Sequence, residues 1–93
     1  MIVLIKTSEE EKMKIGLAFS KRLENILKER KITLNYFCKK HGIARSTLVN
    51  LQRGEVKNPS ITIVYIVARA LDMSVIEFLN DELLLDDNVE FDK

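Results

Sequence analysis

The sequence predicts an all-α protein, a compact five-helix bundle with a short apolar N-terminus and an acidic C-terminal tail. Apolar residues recur at the three- and four-residue spacing of helices along most of the 93 residues. Residues that start helices stand before several of these segments, and Gly42 separates two short ones. The chain divides into an apolar extension over 1–8, one domain over 9–80, and a tail over 81–93 whose start extends the last helix.

The first helix is predicted up to about Arg30. Ser8 and Glu11 have the S-x-x-E spacing of a capping box, and acidic residues suit the positive end of a helix. Apolar residues then repeat on one face as far as Leu27. Gly16 disfavours helix near the start, so the helix can instead begin around Lys14.

Two short helices are predicted on either side of Gly42. Thr33 is the expected N-cap of a helix over 34–40, and Gly42 supplies the left-handed conformation that often follows a helix end. The next helix, over 45–52, starts at Ala44, whose side chain cannot accept a capping hydrogen bond. Its spacing places Arg45, Ser46, Thr47 and Asn50 on one outward face.

Two further helices follow the single proline. Ser60 starts the fourth helix, although the β-branched run over 61–67 favours a strand by propensity. Helix is predicted because Ser60 caps the segment and every flanking element is helical. Ser74 and Glu77 form a capping box for the fifth helix, which runs to Leu79 and can continue through Leu85. Residues 86–93 are expected to lack regular structure.

Charge is distributed unevenly along the chain. Residues 1–57 hold 13 lysines and arginines against 6 acidic residues, whereas residues 58–93 hold 2 against 8. A basic body attracts phosphates, so the net charge of +1 does not argue against a nucleic-acid partner. The acidic end also fits an ordinary solubilising tail.

Several classes of protein lack support in the sequence. Cys38 is the only cysteine, which excludes an internal disulfide and fits a reducing compartment. Cys38 and His41 without further cysteine or histidine cannot form a structural zinc site. No nucleophile stands with a base, so no enzymatic activity and no cofactor are predicted. The apolar run over 1–5 is too short to span a bilayer, which predicts a cytoplasmic protein without a membrane partner.

The chain resembles the phage-repressor-like (Xre-type) helix-turn-helix DNA-binding family over about residues 15–80. The resemblance rests on several features in a fixed order. These are Phe37-Cys38, Gly42, Arg45-Ser46-Thr47, Gly54, Asn58-Pro59-Ser60 and Leu71-Asp72-Met73-Ser74 with Phe78-Leu79.

The resemblance implies a five-helix fold whose third helix enters the major groove of double-stranded DNA. On this sequence, the implied base contacts are Ala44, Arg45, Ser46, Val49 and Asn50. The implied phosphate contacts are Thr33, Arg53, Lys57 and Asn58. The chain departs from the family pattern at Leu34, Ala44 and Gln52, where the family often has Gln, Ser or Thr, and Glu, and the first two departures reduce the expected contacts.

The resulting prediction is a sequence-specific transcriptional regulator, a repressor that binds a palindromic operator as a homodimer. The alternative is an antitoxin-type protein that binds a partner through its tail and uses the same domain for autoregulation. The apolar run over 1–5 would aggregate if exposed. We expect either the protein's own domain or a second copy to cover it, and Leu83–Leu85 could add to the same interface.

Overall fold

The computed structural model describes residues 13–85 and 89–90, and five α-helices make up most of that part of the chain. The helices are α1 Ile15–Arg30, α2 Leu34–His41, α3 Arg45–Arg53, α4 Ile61–Ala70 and α5 Val75–Leu79. A 3₁₀ helix follows at Glu82–Leu84. Strands β1 (Met13–Lys14) and β2 (Val89–Glu90) pair in parallel. The all-α five-helix architecture predicted from the sequence is confirmed.

Helix starts follow the local signals in the sequence. The Thr33 hydroxyl accepts a hydrogen bond from the Tyr36 amide at 3.1 Å, and Ser60 accepts one from Ile63 at 3.1 Å. Ser74 and Glu77 form the complete capping box, with bonds of 3.0 and 2.9 Å. The segment over 61–67 is helical despite its β-branched residues, because the cap fixes its start and Val64, Val67 and Ala68 are buried.

The structure distinguishes between the two predicted starts of the first helix. α1 begins at Ile15 with Lys14 as its N-cap, which agrees with the later start, while Ser8 and Glu11, which mark the earlier one, lie outside the described residues. Met13 pairs with Val89, whose side chain is buried. The expectation that residues 86–93 lack regular structure is therefore wrong at Val89–Glu90, because burying an apolar side chain holds this segment against the domain.

The fifth helix ends earlier than its longest predicted extent. Arg22 on α1 donates hydrogen bonds to the carbonyl oxygens of Phe78 at 2.8 Å and Glu77 at 3.0 Å. These bonds satisfy acceptors that further helical turns would use, and the cation suits the negative end of a helix. The carboxylate of Asp81 then caps the 3₁₀ helix by accepting from the Leu83 amide at 3.0 Å.

One apolar core holds the helices together. Phe19 of α1 and Phe78 of α5 pack with ring centroids 5.4 Å apart at a tilted angle. Leu51 of α3 and Val67 of α4 are also almost completely buried in this cluster. The core thus fixes α3 from behind and leaves its other side to solvent. The apolar run over 1–5 lies outside the described residues.

Candidate nucleic-acid interface

Helices α2 and α3 are joined by a tight turn at Gly42. Its φ of 67° lies in the left-handed region, which glycine adopts at little cost. The amide of Ile43 donates to the Cys38 carbonyl at 2.9 Å, which closes the end of α2. Ile43 is buried after the turn, so the start of α3 is fixed to the core. This arrangement is the helix-turn-helix that the sequence predicts.

The two sides of α3 have different chemistry. Leu48 and Leu51 are buried against the rest of the domain. Arg45, Ser46 and Thr47 are exposed in the first turn. A nine-residue helix anchored on one side can thus present polar side chains from the other. Such side chains can bond the edges of bases in a major groove.

The five residues predicted to contact bases lie along this helix. Ala44, Arg45 and Ser46 are exposed at its start, while Val49 and Asn50 in the following turn are half-buried. The first three are therefore more accessible to a partner than the last two.

The start of α3 has no side-chain cap, unlike the starts of α2, α4 and α5. Ala44 occupies the N-cap position, where its methyl group cannot accept a hydrogen bond. Amide groups in the first turn of a helix have no partner within the helix, and anions bind them favourably. The start of α3 is thus compatible with a nearby phosphate as well as with base edges.

Arg45 also influences the turn behind it. Burial raises the pKa of the Cys38 thiol, and the positive charge of Arg45 acts in the opposite direction. The arginine therefore lies close enough to α2 for its charge to act on a buried group. Cys38 itself is buried, as expected for a small core residue.

The four residues predicted to contact phosphates stand on both sides of α3 in the chain. The Thr33 oxygen accepts the capping bond of α2, which leaves its hydroxyl hydrogen free to be donated elsewhere. Arg53 is the last residue of α3, and Gly54 with φ of 81° turns the chain into the loop that contains Lys57 and Asn58. Arg53, Lys57 and Asn58 are all exposed.

Gly16 allows the start of α1 to pack closely against the backbone of that loop. A Cβ atom at Gly16 would clash with the Lys57 carbonyl oxygen, at a separation that real Cβ atoms essentially never show. Only glycine lets the start of α1 come this near to the loop. The residue that weakens the first helix by propensity is therefore required by packing, and it positions Lys57.

The electrostatic contrast between segments agrees with this placement. Residues 33–58 carry five lysines and arginines against one acidic residue, whereas residues 61–85 carry one against four. Lys40 lies over the Tyr36 ring at 5.7 Å, so part of its attraction is directed within the domain. The helix-turn-helix is therefore better suited to an anionic partner than the helices that follow it.

Two contacts that position the site could not be read from the sequence. The Gln52 amide donates to the Glu24 carboxylate at 3.3 Å and links α3 to α1. Arg22 joins α1 to α5 through the bonds described above and an ion pair with Asp81 at 3.3 Å. The partners lie 28 and 59 residues apart, and the sequence carries no local signal that pairs them.

The described part of the chain contains neither a cluster of metal ligands nor a membrane-spanning helix. Within residues 13–85 and 89–90, no three His, Cys, Asp or Glu side chains stand close enough together to hold a metal ion. No helix in that part has both the length and the apolar composition to cross a bilayer.

Comparison with known proteins agrees with the geometry. The model of the Cro/C1-type HTH DNA-binding domain family matches residues 22–83. The HTH-type transcriptional regulator SinR of Bacillus licheniformis is 34% identical over 71 residues, which is 76% of this chain and 60% of that protein. The chain thus spans less than two thirds of this relative's length. No solved structure is significantly similar. The chain belongs to the Cro/C1-type helix-turn-helix DNA-binding domain family.

Proposed function

We propose that the protein is a sequence-specific transcriptional regulator that places α3 in the major groove of double-stranded DNA. The observation that carries the proposal is the polar face of α3, with Arg45 and Ser46 exposed and Asn50 half-buried, on a helix anchored by buried leucines. An arginine can bond guanine bidentately, and an asparagine can bond adenine in the same way. Ala44 and Val49 would supply apolar contacts, for example with a thymine methyl group.

Phosphate contacts would fix the orientation of α3 in the groove. Thr33 at the start of α2 and the residues Arg53, Lys57 and Asn58 after α3 can donate hydrogen bonds from both flanks of the helix. Such contacts position a protein without reading sequence. The close packing of α1 against the Lys57 backbone supports this role, because a packed loop backbone has less conformational freedom to lose on binding.

We further propose that the protein acts as a homodimeric repressor on a palindromic operator. Two copies related by a twofold axis would place their α3 helices about 34 Å apart, one turn of DNA. The apolar run over 1–5 remains one candidate for the interface. The described part of the chain offers a second candidate on α4 and α5.

This second surface, the α4–α5 apolar face, consists of side chains that are large, apolar and exposed. Its members are Ile61, Tyr65, Ile66, Ile76 and Leu79, of which Ile61 and Ile76 are 69% and 81% exposed. Arg69 is the one charged residue of α4, and a helix that is apolar on all sides is normally buried on all sides. A second copy would cover this face and leave α3 free.

The antitoxin alternative has less support. The tail that would bind a partner already contacts the domain, since Asp81 pairs with Arg22, Leu84 packs on the core and Val89 is buried. A partner would have to displace these contacts or use the remaining side chains. DNA binding with autonomous dimerisation is therefore the preferred function.

Amide chemical-shift mapping tests where DNA binds. The full chain is titrated with a mixed-sequence duplex at low salt, where electrostatic binding is strong. We expect the largest amide chemical-shift changes at residues 33, 44–50 and 53–58, and small changes over the α4–α5 apolar face. Shifts concentrated on α4 and α5 would contradict it.

A further inference from the structure

A groove along α1 starts at the point where the described residues begin. Two adjoining cavities of about 280 Å³ each form this α1–α3 groove. The first cavity lies between α1, the turn into α2, and α3, and the second extends from there to Met13. Both are lined by Ser20, Glu24 and Gln52, which makes them neighbours. The chain that precedes Met13 therefore enters at one end of the groove.

The floor of the first cavity is apolar. Leu23, Leu27 and Leu48 are buried beneath it, while Ile32 and Leu34 are half-buried. Leu34 is one of the positions where the chain departs from the family pattern, and its side chain packs on the core and lines the groove. At the volume of about 30 Å³ that a liquid water molecule occupies, the cavity would hold about nine non-hydrogen atoms, or two side chains of the size of leucine.

The rim of the first cavity is polar. Glu24 and Gln52 are exposed and share a hydrogen bond of 3.3 Å, and Lys28 is exposed one turn further along α1. A peptide segment carries an amide donor and a carbonyl acceptor, and both groups need partners or water. The three rim side chains offer acceptors and donors for them. A hydrocarbon ligand would use only the floor, whereas an apolar peptide segment can use both the floor and the rim.

Residues 1–5 of the same chain have the composition that this floor requires. The run Met1–Ile5 contains no charged residue, glycine or proline. In an extended segment alternate side chains point to the same side, so five residues present two or three apolar side chains to a surface. That number agrees with the volume of the first cavity.

The run is also within reach of the groove. Ile5 precedes Met13 by eight positions, over which an extended chain spans at most about 26–29 Å. From Ile15 to Lys28, along the groove, α1 rises about 20 Å. Residues 6–12 can therefore carry the run to the far cavity. A short tether gives an effective concentration of about the millimolar range, which favours this segment over a second copy in dilute solution.

We propose that residues 1–5 bind in the α1–α3 groove of their own chain. Their apolar side chains cover Leu27, Leu34 and Leu48, and residues 6–12 cross the second cavity. The bound run connects α1 to α2 and α3. It is thereby withdrawn from contact between copies, which leaves the α4–α5 apolar face for dimerisation.

Nuclear Overhauser effects between methyl groups test this binding in the full chain without DNA, so the test does not depend on the proposed function. A sample with labelled isoleucine, leucine and valine methyl groups should show contacts between residues 2–5 and Leu27, Leu34 and Leu48. A mixture of labelled and unlabelled chains, analysed for contacts between chains, should show none of these contacts.

Two substitutions disrupt the binding from opposite sides. Leu4→Asp places a charge in the run, and Leu34→Gln places in the groove wall the residue that the family often has there. Each should abolish the remaining methyl contacts and shift the amide resonances of Leu27 and Leu48, while the resonances of α4 and α5 stay unchanged. Thr7→Asp adds the same charge outside the run and should retain the contacts.

Three results would overturn the proposal. The first is the absence of contacts between residues 2–5 and the groove, or their persistence in the Leu4→Asp variant. The second is contacts that occur only between chains, which would assign the groove to the run of a second copy. The third is contacts of residues 2–5 with the α4–α5 apolar face, which would place the run there.

Discussion

The exposed faces of α3 and α4 differ in chemistry although both helices bury their opposite sides in one core. On α3 the exposed residues include Arg45, Ser46 and Arg53, whereas on α4 they include Ile61 and Tyr65. Polar groups can exchange water for base edges or phosphates at little net cost. The removal of apolar groups from water, in contrast, lowers the free energy. The same scaffold thus offers one face suited to DNA and one suited to another protein surface.

The largest expected effect is a loss of stability when the link between α1 and α5 at Arg22 is removed. Arg22→Ala removes two hydrogen bonds to the end of α5 and the ion pair with Asp81. We expect the free energy of unfolding to fall by about 2–4 kcal/mol, because bonds to charged groups are the stronger ones. Denaturant titration measures the loss.

A matched control for this effect is Arg30→Ala, since Arg30 is exposed at the end of α1. Surface substitutions of this kind usually change stability by less than about 0.5 kcal/mol. Equal stability of the two variants would mean that Arg22 does not hold α5 against α1.

The next largest effect concerns base preference, which should depend on the exposed face of α3 and not on that of α4. Arg45→Ala should cost about 1–3 kcal/mol on the preferred site and relax the preference at one base pair. Arg69→Ala removes the same side chain from the exposed side of α4 and should keep the base preference intact. Affinities for single-base variants of the site measure both. A uniform loss for the Arg45 variant on all sequences would make this residue a phosphate contact instead.

Substitutions at two tyrosines of nearly equal exposure test whether the exposed face of α4 forms the dimer interface. Tyr65 on α4 is 52% exposed, and Tyr36 on α2 is 54% exposed. Tyr65→Lys should raise the dimer dissociation constant at least about tenfold, because a symmetric contact brings both new charges into the interface. Tyr36→Lys should leave it unchanged. Sedimentation equilibrium without DNA distinguishes the two, and an unaltered dimer in the Tyr65 variant would move the interface elsewhere.

The smallest effect concerns the loop after α3. Lys57→Ala should weaken binding alike on every DNA sequence and reduce the salt dependence by about one phosphate contact. Lys31→Ala, an exposed lysine after α1, is the control. Binding measured at several salt concentrations provides both slopes. A loss restricted to one base pair would show that Lys57 reads sequence.

Sequence reasoning succeeded where the determining contact is local. Thr33, Ser60 and Ser74 each bond an amide three residues ahead, so their patterns identify helix starts directly. Gly42 marks the turn because its backbone conformation is its own property. Spacing also predicts the exposure of Arg45, Ser46 and Thr47 on α3, whereas Asn50, predicted on the same face, is half-buried.

The sequence does not predict the features that depend on contacts between residues far apart in the chain. Gly16 disfavours helix by propensity, and only the nearby Lys57 carbonyl explains its presence in α1. Val89 belongs to an acidic stretch, and its burial depends on pairing with Met13, 76 positions earlier. The end of α5 depends on Arg22 of α1. Such pairings require the tertiary structure.

Selection of bound sites from a random DNA pool, at near-physiological salt, is the most direct test of whether α3 reads DNA sequence. We expect a palindromic motif whose half-sites lie about one helical turn apart. The preference at one position in each half-site should be lost in the Arg45→Ala variant. A pool that yields no enriched motif, or a motif unchanged by that substitution, would contradict the reading of DNA by α3.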